Sequence, residues 1–226
     1  MKKKILIVAA HPDDEVLGCG GTIARLIREG ATARTLILGE GVTSRKIPRN
    51  SAGGTITLAR LKKEALRANK ALGVSSVSFA DFPDNKFDSV PLLDIVMRVE
   101  QAKKEFAPDL IFTHYGNDLN IDHRITYQAV ITATRPMRGE TVKEIYSFEI
   151  LSSTEWGFPL SFSSDVFWDI SRSVQTKVDA MKQYQSELAS FPHPRSLKGI
   201  LLSAEYWGMR AGMQSAEAFK VVRILK

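Results

Sequence analysis

The chain has 226 residues, 44% of them hydrophobic and 25% charged, a composition that excludes disordered, collagen-like and fibrous classes. At roughly 100–200 residues per domain, this length predicts one domain over 1–226. A single cysteine, Cys19, excludes an internal disulfide framework and a thiolate-built zinc module, and fits a reducing cytoplasm.

The 31 basic and 25 acidic residues give a net charge of +6, which predicts attraction to anions. Beyond Lys2-Lys3-Lys4 the basic residues are scattered, and no RNA-recognition or zinc-finger signature accompanies them. The expected partner is therefore an anionic small molecule or glycan rather than nucleic acid. The apolar run Ile5–Ala10 meets His11-Pro12-Asp13-Asp14-Glu15 too soon for a secretory signal, and nothing approaches the ~20 apolar residues of a membrane span. A cytoplasmic protein is expected, with homo-oligomerisation left open.

In chain order, Lys4–Ala10 reads as a buried parallel strand, because its apolar run is continuous. Gly20–Arg28 reads as a helix stopped at Gly30, and Ala33–Leu38 as a second strand. Gly39–Gly54 is the longest loop, rich in Gly, Ser, Thr and basic residues, and suits a mobile substrate loop. A helix over Leu58–Leu72 ends at Gly73, and Val77–Ala80 is a third strand. Pro91–Phe106 is helical up to Pro108, Asp109–His114 is a fourth strand, Ile125–Thr134 a helix and Glu144–Leu151 a strand.

Later come a strand at Asp165–Ile170 and helices at Ser173–Glu187 and Ser196–Met213, separated by the proline loop Ser190–Arg195. This last part, about 152–226, is expected to complete the substrate side of the pocket. The alternation predicts an α/β fold: a Rossmann-like, mostly parallel sheet with helices on both faces.

Chemistry concentrates after two of these strands. Pro12 cannot continue a central strand, so the chain turns at His11-Pro12-Asp13-Asp14-Glu15, where ligands bind in open α/β sheets. In such a turn His11 and Asp14 converge, and Asp13 leans past them toward the cavity. Charges gathered at a buried strand end cost desolvation, which a bound cation removes. The second segment runs from His114 to His123 at the end of the fourth strand. Two histidines and one carboxylate form a three-ligand set with room for water, as in catalytic zinc sites. The set predicted is His11, Asp14 and His123, holding one Zn2+, with Fe2+ or another divalent ion as alternatives. Asp122, just before a helix, reads as its N-cap.

Ala10-His11-Pro12-Asp13-Asp14-Glu15 resembles the signature of the LmbE-like (PIG-L) zinc de-N-acetylases. Similar matches extend along nearly the whole chain: Arg60-x-x-x-Glu64 running into Leu72-Gly73, Phe82-Pro83-Asp84-Asn85, Asp122-His123 and Ala216-Glu217-Ala218-Phe219. The resemblance implies a Rossmann-like domain, zinc on His11, Asp14 and His123, Asp13 as general base, and removal of acetyl groups from N-acetylglucosaminyl substrates. It also sets Arg60 near the sugar.

Many members carry His-Pro-Asp-His where this chain has Asn120-Ile121-Asp122-His123. The histidine credited with stabilising the oxyanion is thus replaced by Asn120, and His114 and His193 become candidates for that role. Arg45, Lys46 and Arg49 could meet substrate phosphate or form a solvated basic loop, Arg195 is a further substrate-binding candidate, and Asp84 and Asn120 could line the sugar pocket. Against these readings, Arg60 and Glu64 also suit a simple i,i+4 pair, and Asn85 a turn. Cys19 reads as packing. Phe148, Trp156, Phe158, Phe162, Phe167 and Trp168 read as core, with Trp156 the best exception as a sugar platform. Hydrolysis of another small amide, of aminoglycoside or thiol-conjugate type, and a non-catalytic metal- or nucleotide-binding module are the competing functions.

Overall fold

The computed structural model describes residues 2–42, 57–159 and 162–226. Its strands are β1 (Lys4–Ala9), β2 (Thr32–Gly39), β3 (Ser76–Phe82), β4 (Leu110–His114), β5 (Glu144–Phe148), β6 (Val166–Asp169) and β7 (Ala216–Ile224). Its helices are α1 (Asp14–Arg28), α2 (Leu58–Leu72), α3 (Leu92–Phe106), α4 (Ile121–Ala133), α5 (Val174–Met181) and α6 (Leu197–Ala211).

One sheet runs in the order β3-β2-β1-β4-β5-β7-β6. From β3 to β5 it is parallel, and β7 is antiparallel to both of its neighbours. Strand β1 shows why its apolar run is unbroken. Ile5, Ile7 and Ala9 pack with residues of α1, α2 and α5. Leu6, Val8 and Ala10 pack with residues of α3 and α4 on the other face. A strand covered on both sides has no polar positions to spare.

The chain leaves β1 toward β2 and β3 on one side, and β4 and β5 lie on the other. Between β1 and β4 the winding reverses, and outside the carboxyl ends of that pair is where such sheets bind ligands. Backbone approach there is close. Gly39 at the end of β2 donates its N–H to the Ala10 carbonyl at 2.7 Å, and a Cβ on Gly39 would lie 2.9 Å from that oxygen and 3.2 Å from the His11 ring.

Several boundaries differ from expectation. Helix α1 begins at Asp14 rather than Gly20, because Gly18, Gly20 and Gly21 are contact points of a buried helix and not its end. Helix α4 begins at Ile121, capped by Asn120, whose Oδ1 accepts the Asp122 N–H at 2.8 Å. The N-cap expected at Asp122 is instead Asn120. Helix α5 stops at Met181, short of the expected Glu187.

Strand β7 is absent from the sequence reading. Its buried half carries Glu217, which ion-pairs with Lys177 at 2.5 Å, and its outer half is partly exposed, so it shows no clean apolar period. Phe158, expected in the core, is 84% exposed.

At Gly18 an added Cβ would lie 2.3 Å from Phe148 Cδ2, on a ring that is fully buried and packs edge-on against His114. Gly18→Ala is expected to lower stability by about 1–3 kcal/mol through overpacking, despite its better helix propensity. Urea unfolding measures this, and a stabilised variant would mean that the ring yields.

Candidate active site

The turn after β1 is strained. Asp13 adopts φ 101°, ψ −27°, a left-handed conformation that is costly outside glycine. It precedes α1 without forming a side-chain cap, so its carboxylate is spent elsewhere. Glu15 holds the turn: its Oε2 accepts the Asp13 N–H at 3.1 Å, and its Oε1 accepts from Tyr184 at 2.5 Å and Asn69 at 2.8 Å. Burial raises Glu15 to about 7.

Asp14 lies at the centre. Its Oδ2 accepts the His11 N–H at 2.8 Å and stands 3.4 Å from His11 Nδ1 and 3.4 Å from His123 Nε2. The potential ligand atoms of His11, Asp14 and His123 all lie within 4.8 Å of one another. At zinc bond lengths of about 2.0–2.1 Å, the edge of a tetrahedron is about 3.3 Å, so the two 3.4 Å separations suit a common ion.

Each histidine is backed by a carboxylate on its other nitrogen. His11 Nε2 meets Asp122 Oδ2 at 2.9 Å and Asp84 Oδ1 at 3.2 Å. His123 Nδ1 lies 3.0 Å from Asp118 Oδ1. Such partners fix ring orientation and raise ligand basicity in metal sites.

His11, Asp84 and Asp122 also cluster closely enough for an ion. Asp122, however, already accepts the N–H groups of Asn85 at 2.7 Å and Phe87 at 3.0 Å, which suits a supporting role. His114 Nε2 is 3.4 Å from Asp14, but it accepts the Ala10 N–H at 2.8 Å, so its lone pair is not available to a metal. Its ring stacks on His123 with centroids 4.1 Å apart.

Electrostatics agree with a cation site. Burial opposes charge on His11, yet hydrogen bonds with Asp122 and Asp14 raise it to about 10. Burial likewise opposes charge on His123, and Asp14 and Asp118 raise it to about 9. Asp118, despite burial, is held at about 2, chiefly by His123. Burial pushes His114 down, reinforced by the charge of His123, leaving it neutral. Imidazoles drawn toward protonation inside a ring of buried carboxylates stand where a metal would supply the positive charge instead.

Asp13 is 2% exposed, and burial raises its carboxyl well above the usual range while Arg195 pulls it back. Arg195 Nη1 lies 3.1 Å from Asp13 Oδ2 and 3.7 Å from Glu187 Oε2. Ser186 bridges Glu187 and Glu64, and Glu64 receives Arg60 Nε at 3.1 Å. Arg60 and Glu64 thus form the i,i+4 pair allowed for in the sequence.

The structure therefore gathers His11, Asp13, Asp14, Asp84, His114, His123 and Arg195. Asn120 caps α4 and donates to Asn85 Oδ1 at 3.0 Å. His193 accepts the Arg195 N–H on Nδ1 at 3.1 Å, and its ring lies 5.9 Å from that of Trp156, which is 44% exposed. Arg45, Lys46 and Arg49 lie outside the described residues, as does the expected substrate loop beyond Val42. Sequence reasoning missed Asp118, and it missed the bond from Asp122 to His11. Asp118 falls in an Asn-Asp turn segment, and its link to Ser153 and Thr154 spans more than thirty residues.

A family model described as PIG-L: GlcNAc-PI de-N-acetylase matches residues 6–134. The chain is 30% identical to the uncharacterized deacetylase YaiS of Escherichia coli (strain K12), over 82% of this chain and 92% of that one. It is 26% identical to the diacetylchitobiose deacetylase of Thermococcus kodakarensis, over 97% of this chain and 83% of the relative. The fold extends further: the 4-carboxy-2-hydroxymuconate hydratase GalB of Pseudomonas putida KT2440 superposes with a TM-score of 0.77 at 22% identity, covering 99% of this chain and 98% of GalB. At that identity the likeness speaks for the fold alone.

Metal ligation needs neutral imidazoles, whereas His11 at about 10 and His123 at about 9 hold protons at neutral pH in the metal-free chain. Binding of a divalent ion is therefore expected to release about two protons, and its affinity to rise ~100-fold per pH unit between about pH 6 and 8. Calorimetry in buffers of differing ionisation enthalpy reads the proton count. A pH-independent affinity would show that the rings are already neutral.

Proposed function

Because the chain belongs to the PIG-L family of GlcNAc-PI de-N-acetylases and is an amidohydrolase, we propose that it removes the acetyl group from an N-acetylated amino sugar of the N-acetylglucosamine type. Zn2+ is the proposed ion, held by His11, Asp14 and His123. A divalent ion at such a site acidifies water and polarises an amide carbonyl. The observation that carries the reading is that a potential three-ligand set stands beside a separate buried carboxylate, Asp13, which is adjacent in sequence to Asp14 and is paired with Arg195.

Asp13 is the proposed general base. It takes a proton from water and returns it to the departing amine, a role worth about 10²–10⁴ in rate. Burial favours this, since a carboxyl raised toward neutral pH is a stronger base, and Arg195 keeps it ionisable. Asp122 and Asp118 orient the two histidines, and Glu15 keeps the Asp13 turn in its left-handed form. His114, fully buried and already accepting a backbone N–H, supports the His123 ring rather than meeting substrate. Asp84, beside His11, and Arg60, on the wall shared with Arg195, are proposed to border the sugar. The segment from about 152, with Trp156 and the His193–Arg195 turn, forms the substrate side of the same domain.

The test is acetate release from N-acetylhexosamines presented free, phosphorylated, nucleotide-linked and lipid-linked. At least one is expected to turn over, with activity lost to chelation and restored by Zn2+. Asp13→Asn should retain metal and lose at least about 10²-fold in kcat, whereas His123→Ala should lose both metal and turnover. Turnover retained in Asp13→Asn would remove its assignment as base.

A further inference from the structure

The proposed reaction develops negative charge on the acyl oxygen, and a hydrolase of this kind gains from a fixed protein cation or donor beside it. Among the described residues the local candidates are few. Asn120 has its Oδ1 in the α4 cap and its Nδ2 on Asn85, and an amide carries no charge. His114 is fully buried, and its Nε2 accepts the Ala10 N–H. The Nδ1 of His193 accepts the Arg195 N–H, which fixes the turn that aims the guanidinium.

Lys177, the other buried cation near α1, is spent on Glu217 at 2.5 Å and the Leu17 carbonyl at 2.7 Å. Arg195 alone among the described arginines and lysines forms an ion pair with Asp13. Its Nε is buried and has no hydrogen-bond partner among the described residues. An unsatisfied buried donor is costly, and an oxygen from a ligand would satisfy it.

We infer that Arg195 is a catalytic residue, the cation that follows the charge from Asp13 to the acyl oxygen of the substrate. The inference rests on the deacetylation reading above. In the addition step the water oxygen bonds to the acyl carbon, the water proton passes to the Asp13 carboxylate, and the carbonyl π pair moves onto the acyl oxygen. One negative charge has then left Asp13 and appeared on that oxygen. In the collapse step the oxygen pair re-forms the carbonyl, the C–N bond breaks with its electrons on nitrogen, and the Asp13 proton goes to the amine. A guanidinium whose Nη1 contacts Asp13 at 3.1 Å while its Nε keeps a spare donor can serve both charge locations, and the same Nη1 lies 3.7 Å from Glu187.

The experiment compares the metal-loaded protein with Arg195→Ala, Arg195→Lys and His193→Asn. Metal content and thermal unfolding are checked for each. Kinetics use the best substrate of the acetate panel, and calorimetry uses an amino sugar whose acetamide is replaced by a methylphosphonamide, a tetrahedral anionic mimic.

Arg195→Ala is expected to lower kcat about 10²–10³-fold with KM within about threefold, and to weaken the phosphonamide by a similar factor. Arg195→Lys should recover part of both, since it returns charge without the planar fork. This also separates lost chemistry from lost folding. An unchanged kcat in Arg195→Ala, a loss confined to KM, or full retention of phosphonamide affinity overturns the assignment, as does a larger kcat loss in His193→Asn than in either Arg195 variant. No acetate release by the unaltered protein overturns the deacetylation reading and this one together. Release by the unaltered protein with an indifferent Arg195→Ala overturns this one alone.

Discussion

The structure is organised around one unfavourable act, the burial of acids and imidazoles where β1 and β4 end side by side. Asp14, Asp118, Asp122, His114 and His123 are each at most 3% exposed, and burial alone disfavours every charge among them. The surrounding chain offsets that cost with directed partners. Backbone N–H groups of Asn85 and Phe87 serve Asp122, hydroxyls of Ser153 and Thr154 serve Asp118, and the His11 N–H serves Asp14. What they leave unmet is the need for positive charge at the point where His11, Asp14 and His123 converge, and a divalent cation there would meet that need without placing protons on the rings.

These supports also join the site to the loops around it. Asp118 contacts His123 on one side and the turn preceding Trp156 on the other. Asp122 spans His11 and the turn after β3. Displacing either loop therefore acts on the tilt of an imidazole and not only on the shape of the opening. Glu15 plays the corresponding part for Asp13, holding its N–H while Tyr184 and Asn69 hold Glu15. The strain at Asp13 is sustained by residues from α2 and from the turn after α5, far away in sequence.

Much of this was legible because parallel strands and their helices carry strong local patterns. The unbroken apolar run of β1, the breaks at Gly73 and Pro108, and the acid–histidine turn after β1 lead directly to the switch point and to His11 and Asp14. The less legible parts depend on partners that local pattern does not specify. Glycines in α1 look like a helix boundary until Phe148 and Ile170 are seen against them. Strand β7 hides a buried glutamate whose lysine lies forty residues upstream. Asp122 looks like a cap because it precedes a helical pattern, yet the cap is Asn120 and Asp122 reaches across 111 residues to His11.

Net charge illustrates the same distinction. The excess of +6 suggests an anionic substrate, but a field matters at a site only if the charges gather there. Arg25 and Arg28 lie in the last turn of α1, roughly 20 Å along the helix from Asp14 at 1.5 Å per residue. The described site itself is acid-rich, with Arg195 and Arg60 already engaged by Asp13, Glu187 and Glu64.

Since the same fold also houses a hydratase, neither the sheet nor the overall charge selects the reaction. Selection falls to how a few groups divide one negative charge. In the proposed reaction, a carboxylate that gives up its charge by taking a proton would weaken its hold on the neighbouring guanidinium as the substrate oxygen becomes anionic. If Arg195 plays the part proposed above, Glu187, 3.7 Å from the same guanidinium nitrogen, would limit its reorganisation, which is the condition under which preorganised electrostatics lowers a barrier.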